Sequence, residues 1–486
     1  MGNVIKVKAT DGTEIEYVDD KIGQGAMKEV YFTPCKTKVV AFYKTKQDEN
    51  AKGRLRDIVE KYNPGADTDT GEYWKNLYCW PTHIIDSERL GIVAPAYPKH
   101  FFFAEGPMKG KEKQGKWFAS AMVRKLLAPS EKGTWLDYFR LCILVSRAVQ
   151  KMHISGLAHS DLSYKNVLID PKGGHAAIID IDGLVVPDKY APDVLGTPDF
   201  IAPEVFKTIH LDFKNPSRFL PSRLTDLHAL AVLVYMYLLY RHPLRGGKVH
   251  DLDPNKDEEL SMGEHALFIE HHDDVSNRPK ELNPRFMPWA DVNKIPYTVT
   301  GPYLKKLFDE AFIDGLHNRN KRPTADAWET ALIKTVDLMQ PCGNPKCEQK
   351  WFVFDNTVKP VCPFCSWQYK GLLPVLNLYS AKKQGQYTSD NHRLMVYHNQ
   401  FLFPWHVTRN KFPNEKLLEE DKKPVGYFSF YKDRWVLVNQ NMPGMKDLTV
   451  NKDIAVGSMI ELKEGKQILL SREEGGRVVL VQMVSA

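Results

Sequence analysis

Apolar and polar residues change rhythm along this chain, and the changes divide it. Up to about residue 100 they alternate with a period of two, as in KVVAFYKTK at 38–46, which predicts strands with one face on a core. One stretch in this region, 51–62, has helical spacing instead. From Trp135 to Ile154 apolar positions recur every three or four residues and predict a long helix, with further helices expected at 223–240 and 303–315. Late in the chain the alternation returns. YFSFYKDRWVLVNQ (427–440) and RVVLVQMV (477–484), set between Gly, Asn and Asp turns, predict a β-rich end.

The longest apolar run, ALAVLVYMYLLY at 229–240, is shorter than the roughly 20 residues a membrane span needs, so a buried core helix is expected there. The opening MGNVIKVKATDG has no apolar core of a secretory signal. At 486 residues the chain exceeds one core and suggests about three domains. A net charge of +6 is small for that length and points to neither nucleic acid nor a membrane surface. Of seven cysteines, Cys35, Cys79 and Cys142 are scattered and four cluster late, which suggests a reducing cytoplasm and one metal site instead of a disulfide framework.

The candidate chemistry centres on LAHSDLSYKNVLID (157–170), a polar loop between the long helix and an apolar strand. Asp161 and Asn166 stand five apart in it, and AAIIDIDGLVV (176–186) ends a strand with Asp180. Phosphoryl transfer needs a carboxylate to orient the attacking hydroxyl, oxygen ligands for a divalent cation, and a cation on the phosphates. Upstream, IGQGAMKEV (22–30) offers a glycine turn between strands, with Lys44 at the end of the next strand. Downstream lie GTPDFIAPEVF (196–206), RLTDLHALAVLVYM (223–236) and NKRPTADAW (320–328).

In order and spacing these pieces resemble the eukaryotic-like (Hanks-type) Ser/Thr protein kinases, over roughly residues 15–337. The resemblance implies that Asp161 is the catalytic base, that Asn166 and Asp180 hold Mg²⁺ or Mn²⁺, and that Lys44 meets the ATP phosphates with Glu60 as its helix partner. Lys46 competes with Lys44 for that role, and Glu49 and Asp57 with Glu60. It further implies that Gly23 and Gly25 cover the phosphates, that backbone of Ala94 to Tyr97, Ala96 included, meets adenine, and that Thr197 hydrogen-bonds Asp161. His159 and Asp226 would brace the loop, and Arg322 would pair with Glu204.

Several positions depart from the family pattern. Lys28 replaces the third glycine, at a place from which a lysine can still lie near phosphate. The alanine expected two residues before the strand lysine is Phe42, with Ala41 one place early. Ser160 stands where an arginine would receive an activation-loop phosphate, so activity independent of loop phosphorylation is expected. Ser163 replaces a loop lysine, for which Lys165 is the available substitute. Asp182 is either an extra metal ligand or a turn residue. These departures keep a pseudokinase scaffold as the alternative to an active enzyme.

Cys342-x4-Cys347 and Cys362-x2-Cys365 flank a short β-like segment and predict a structural Zn²⁺ bound by four thiolates, similar to a zinc ribbon. The segment 434–471 is similar to the second half of a forkhead-associated β-sandwich, without the residues that read phosphothreonine; a plain interaction sandwich is the other reading. A kinase followed by a zinc ribbon resembles the bacterial kinases of tellurium-resistance clusters, which implies a von Willebrand A-type protein and a metal-dependent phosphatase as partners. The expectation is thus an α+β chain: a two-lobed kinase at 1–337 (lobes 1–95 and 96–337), a zinc ribbon at 338–371 and an all-β interaction domain at 372–486. ATP and a protein hydroxyl are the expected substrates, with autophosphorylation among the outcomes.

Overall fold

A computed structural model describes residues 2–24, 27–186, 189–190, 196–212, 214–357, 359–383 and 385–485. The chain forms two compact units: Met1–Gly133 with Asp137–Tyr297 and Lys305–Thr330, and Thr134–Leu136 with Thr298–Leu304 and Ala331–Ala486.

The first unit begins with a hairpin, β1 (Val4–Lys8) and β2 (Glu14–Val18), followed by β3 (Lys21–Gln24), β4 (Lys28–Phe32), β5 (Lys38–Tyr43), β6 (His83–Asp86) and β7 (Leu90–Pro95). Among the described residues, strands β3 to β7 form one antiparallel sheet in the order β3-β4-β5-β7-β6. Strand β5 is apolar on both faces because both are covered. Val40 and Phe42 pack with Ala9, Ile15, Ile85 and Val93, whereas Ala41 and Tyr43 pack with Leu55, Ile84, Leu90 and Ile92. Leu55 comes from the helix Glu49–Arg56, which Asp48 caps by accepting from the Ala51 amide at 2.8 Å.

The larger part of this unit is helical. The helix Trp135–Ile154 leads to a hairpin of β8 (Val167–Asp170) and β9 (His175–Ile178), and the helix Arg223–Leu239 is buried on every side from Thr225 to Leu239. Burial all round explains its unbroken apolar run. Among the described residues no helix is long and apolar enough to cross a membrane.

Just beyond that helix His242 is buried, with Nδ1 accepting from the Leu244 amide at 3.1 Å and Nε2 facing the Asp199 carbonyl at 2.8 Å. Burial pulls its pKa down to about 4. The folded value lies below the unfolded value of about 6.5, so the stability this neutral ring supplies is complete above that pH and is lost as pH falls toward 4. The loss should amount to about 3 kcal/mol. Urea melts at pH 7.5 and 4.5 should show it, and His242→Gln should flatten that pH slope.

The second unit opens with a hairpin of β10 (Met339–Pro341) and β11 (Trp351–Val353). Ten further strands follow: β12 (Leu372–Lys383), β13 (Gln386–Met395), β14 (Phe401–Leu402), β15 (Gly426–Tyr431), β16 (Arg434–Asn439), β17 (Lys446–Asp447), β18 (Lys452–Asp453), β19 (Met459–Glu461), β20 (Gln467–Leu469) and β21 (Arg477–Ser485). Among the described residues they build two antiparallel sheets, β13-β12-β21-β20-β17-β18 and β14-β15-β16-β19. Lys432 and Asp433, both left-handed (φ 48° and 60°), join β15 to β16 in the tight turn that the right-handed twist of paired strands favours. The cysteine segment shares the core of these sheets: Cys347, Phe352, Phe354 and Cys362 pack in one cluster with Val375, Leu394, Phe428, Leu437 and Ile468.

Candidate active site

The loop after the helix Trp135–Ile154 cannot run as regular structure, because its backbone is tied at several points. Ala158 exchanges hydrogen bonds with Val185 (3.1 and 2.8 Å), and the His159 amide donates to the buried Asp226 carboxylate at 2.7 Å, which also meets His153 Nε2 at 3.1 Å. His159 Nε2 lies 2.9 Å from the Ile179 carbonyl. Ser160, left-handed at φ 64°, turns the chain so that Asp161 faces outward from this brace.

Both Asp161 oxygens are fixed. Oδ1 accepts from the Thr197 amide at 2.6 Å, and Oδ2 accepts from Asn166 Nδ2 at 3.0 Å. Asn166 Nδ2 also donates to the Asp161 carbonyl at 2.9 Å, which leaves Oδ1 as the Asn166 group able to face a cation. Thr197 therefore reaches Asp161 through its backbone, while its hydroxyl donates to Ser163 Oγ at 3.3 Å. Ser163 is fully buried and Lys165 is exposed. The Asn166 carbonyl accepts from the Ile179 amide at 3.0 Å, so Asp180 follows directly, left-handed at φ 61° with a half-exposed side chain.

Opposite them stands Lys28. Its Nζ lies 2.6 and 2.7 Å from the Asp182 carboxylate and 3.2 Å from Asp180 Oδ1. Asp182 is buried and also accepts from the Tyr43 hydroxyl. Burial alone would lower the Lys28 pKa, but Asp182 and Asp180 outweigh it and hold the ammonium above its ordinary value. Burial works to raise Asp182, and the Lys28 charge with its hydrogen bonds brings it below the usual carboxylate range. Burial and then the Asp182 charge push the Tyr43 hydroxyl far up, so it stays a donor.

Strand geometry explains this arrangement. Lys28 pairs directly with Tyr43, and Val30 with Ala41, so all four side chains share one face of the sheet. Lys44 comes one residue later, its amide still bound to the Met27 carbonyl at 3.0 Å, and alternation turns its exposed side chain to the other face. Glu60 is exposed, in a π-helical turn Asp57–Lys61 that extends the helix Glu49–Arg56. The residues that the helix buries are Ala51, Arg54 and Leu55, and the Arg54 charge is near enough to oppose the rise of the Tyr43 pKa. At Gly53 of the same helix a Cβ would come within 2.6 Å of the Tyr190 hydroxyl, and Lys189 pairs with Asp57.

The remaining sequence candidates are dispersed around this centre. Gly23 lies in β3 opposite Val30, and Gly25 lies outside the described residues. Ala94 pairs with Val39, and the Ala96 amide is committed to the Thr37 carbonyl at 3.0 Å. Below, Phe101, Leu168, Ala177 and Ile179 form an apolar cluster with Tyr97 and Cys79 packed against it.

Residues 124–327 match the family model of the protein kinase domain. That span, less than half of the chain, is its protein kinase domain. No curated protein matches the chain. Among solved structures, the kinase domain of a Toxoplasma gondii specific rhoptry antigen is similar at 14% identity, over 56% of this chain and 84% of that one, with a TM-score of 0.36. The matched span of the kinase domain holds Asp161, Asn166, Asp180, Thr197, Glu204, Asp226 and Arg322, whereas Lys28, Tyr43, Lys44, Arg54 and Glu60 precede it.

Within the kinase domain Arg322 binds Glu204 through two parallel bonds of 2.8 and 2.7 Å and also donates to the carbonyls of Gly315, Leu316 and Leu224. Removing one member of a buried pair strands the other. Arg322→Ala should cost about 3–5 kcal/mol in chemical denaturation. Lysine should rescue little, because it lacks the two-pronged geometry.

The oxygens present fit a magnesium ion. Asp180 is a half-exposed carboxylate, the Asn166 Oδ1 is left over from the Asp161 contacts, and the Lys28 ammonium already stands as a cation against Asp180. The four late cysteines converge equally well. Their Sγ atoms all lie within 4.8 Å of one another, with Cys342–Cys365 at 3.5 Å and Cys347–Cys362 at 4.0 Å. A tetrahedral Zn²⁺ with bonds near 2.3 Å separates its sulfurs by about 3.8 Å. Left-handed Lys350 and Ser366 turn the chain after the two cysteine pairs, and Gly343 leaves room for the Trp367 ring, 2.4 Å from where a Cβ would stand.

Three members of the cleft were not singled out from sequence: Tyr43, Arg54 and the pairing of Lys28 with Asp182. The signal was Ala41. Alternation from Ala41 puts residue 43, not 44, on the cleft face.

Proposed function

We propose that this chain is an active protein kinase that transfers the γ-phosphoryl group of Mg·ATP to Ser or Thr hydroxyls of proteins, itself included. The observation that carries this reading is the Asp161 carboxylate, held at one oxygen by the Thr197 amide and at the other by Asn166, beside the open Asp180 carboxylate. Asp161 accepts the hydrogen bond of the incoming hydroxyl and aims it; its fixed oxygens make that orientation costless at the moment of reaction. Asn166 Oδ1 and Asp180 hold the Mg²⁺ that Mg·ATP brings, which neutralises charge on the phosphates. Direction toward Ser and Thr rests on Thr197 beside Asp161.

On resemblance, the second unit's Zn²⁺ is structural and its sandwich recruits protein partners, a von Willebrand A-type protein and a metal-dependent phosphatase, in the cytoplasm. Incubating the full chain with γ-³²P-ATP and Mg²⁺, alone and with a generic Ser/Thr substrate, tests the kinase reading. Acid-stable phosphoserine or phosphothreonine is expected. Absence of transfer in a protein that is folded, even with partners added, would shift the reading to a pseudokinase scaffold.

A further inference from the structure

The cation of this cleft stands on a different strand from the one that carries Lys44. Lys28 opens β4, and its register with Tyr43 puts both on the face shared with Ala41. Its ammonium contacts Asp180, the carboxylate left open for a metal, and is held from behind by Asp182, which Tyr43 in turn fixes. A cation one hydrogen bond from a metal-binding carboxylate is where the phosphates of a metal-bound nucleotide must come. Lys44 is exposed on the opposite face.

We propose that Lys28, not Lys44, supplies the cation that binds the nucleotide phosphates, and that Asp182 and Tyr43 are the positioning residues that aim it. The proposal rests on the kinase reading above and assigns its missing cation. It also gives Asp182 a role, neither metal ligand nor turn residue: a buried acceptor that holds an ammonium in the cleft. Tyr43 fills the strand position that faces Asp182, so a lysine introduced at 43 would start from the same face and reach the same carboxylates.

Nucleotide affinity and phosphate transfer should be measured together on full-length Lys28→Met, Lys44→Met and the double variant Lys28→Met/Tyr43→Lys, with melting temperature as a check on folding. Lys28→Met should weaken Mg·ATP binding at equilibrium about tenfold or more and slow transfer by roughly 10²-fold, whereas Lys44→Met should stay within about threefold of wild type in both. The double variant should regain much of both, which a merely structural Lys28 would not allow. Lys28→Met/Asp182→Asn removes both members of the buried pair and should keep the fold while still binding nucleotide poorly. Wild-type affinity and transfer in Lys28→Met, or their loss in Lys44→Met alone, would overturn the proposal. A wild type whose Mg·ATP affinity depends on Lys28 but which transfers nothing overturns the kinase reading and supports Lys28; a wild type that binds no Mg·ATP overturns both.

Discussion

Asp161→Asn should lower phosphate transfer by about 10²–10⁴-fold while leaving Mg·ATP binding within a few-fold of wild type. Asparagine keeps the size of the side chain and can still accept from the Thr197 amide, but its second terminus is an NH₂ that opposes Asn166 Nδ2 and offers no charge to the incoming hydroxyl. The loss should therefore fall on kcat. Asp180→Asn removes the open carboxylate that faces the metal and should fail differently, with a Mg²⁺ requirement shifted upward and weaker nucleotide binding together with slow transfer. Titrating Mg²⁺ at fixed ATP separates the two. Equal, metal-insensitive losses in both variants would contradict the division of labour assigned to them.

Removing the metal from the cysteine site should destabilise the second unit by several kcal/mol and lower its melting temperature by roughly 10 °C or more. The four cysteines surround the short strands β10 and β11, and two of them, Cys347 and Cys362, sit in the same apolar core as Val375, Phe428 and Leu437. Without Zn²⁺ those sulfurs are either buried thiols or unpaired charges, and burial pushes the Cys342 thiol up to about 11. Elemental analysis should give one zinc per chain, retained in Cys35→Ser and lost in Cys362→Ser. A protein purified without chelator that holds no zinc, or a Cys362→Ser variant that melts like wild type, would remove the metal from this account.

What could be read from the sequence divides by the range of the forces involved. The acidic loop is legible because its chemistry is local: Asp161 and Asn166 lie on one tight turn, and the brace to Asp226 needs only the buried helix that the apolar run announces. The cysteine quartet is legible for the same reason. Lys44 and Glu60 are a different matter, since a one-residue shift on a strand reverses the face that a side chain takes. Alternation from Ala41 turns Lys44 to the other face, but that Lys28 stands opposite Tyr43 is set by pairing across a hairpin, which is not written in either strand alone. Glu60 is carried off by the π-helical turn, which adds a residue to the helical repeat and breaks the phase counted from Arg54. In the second unit the hairpin β15–β16 is foreseeable from its turn, whereas the pairing of β12 with β21 joins segments about a hundred residues apart through contacts that no local pattern encodes.

The close approach of Tyr190 to Gly53 ties residues 189–190 to the helix Glu49–Arg56. With the Tyr190 hydroxyl standing where a side chain at 53 would be, and Lys189 paired to Asp57, this stretch and the helix Glu49–Arg56 with its π-helical turn hold each other in place. A side chain at 53, a single methyl included, would therefore have to move the Tyr190 ring before the helix could lie as it does.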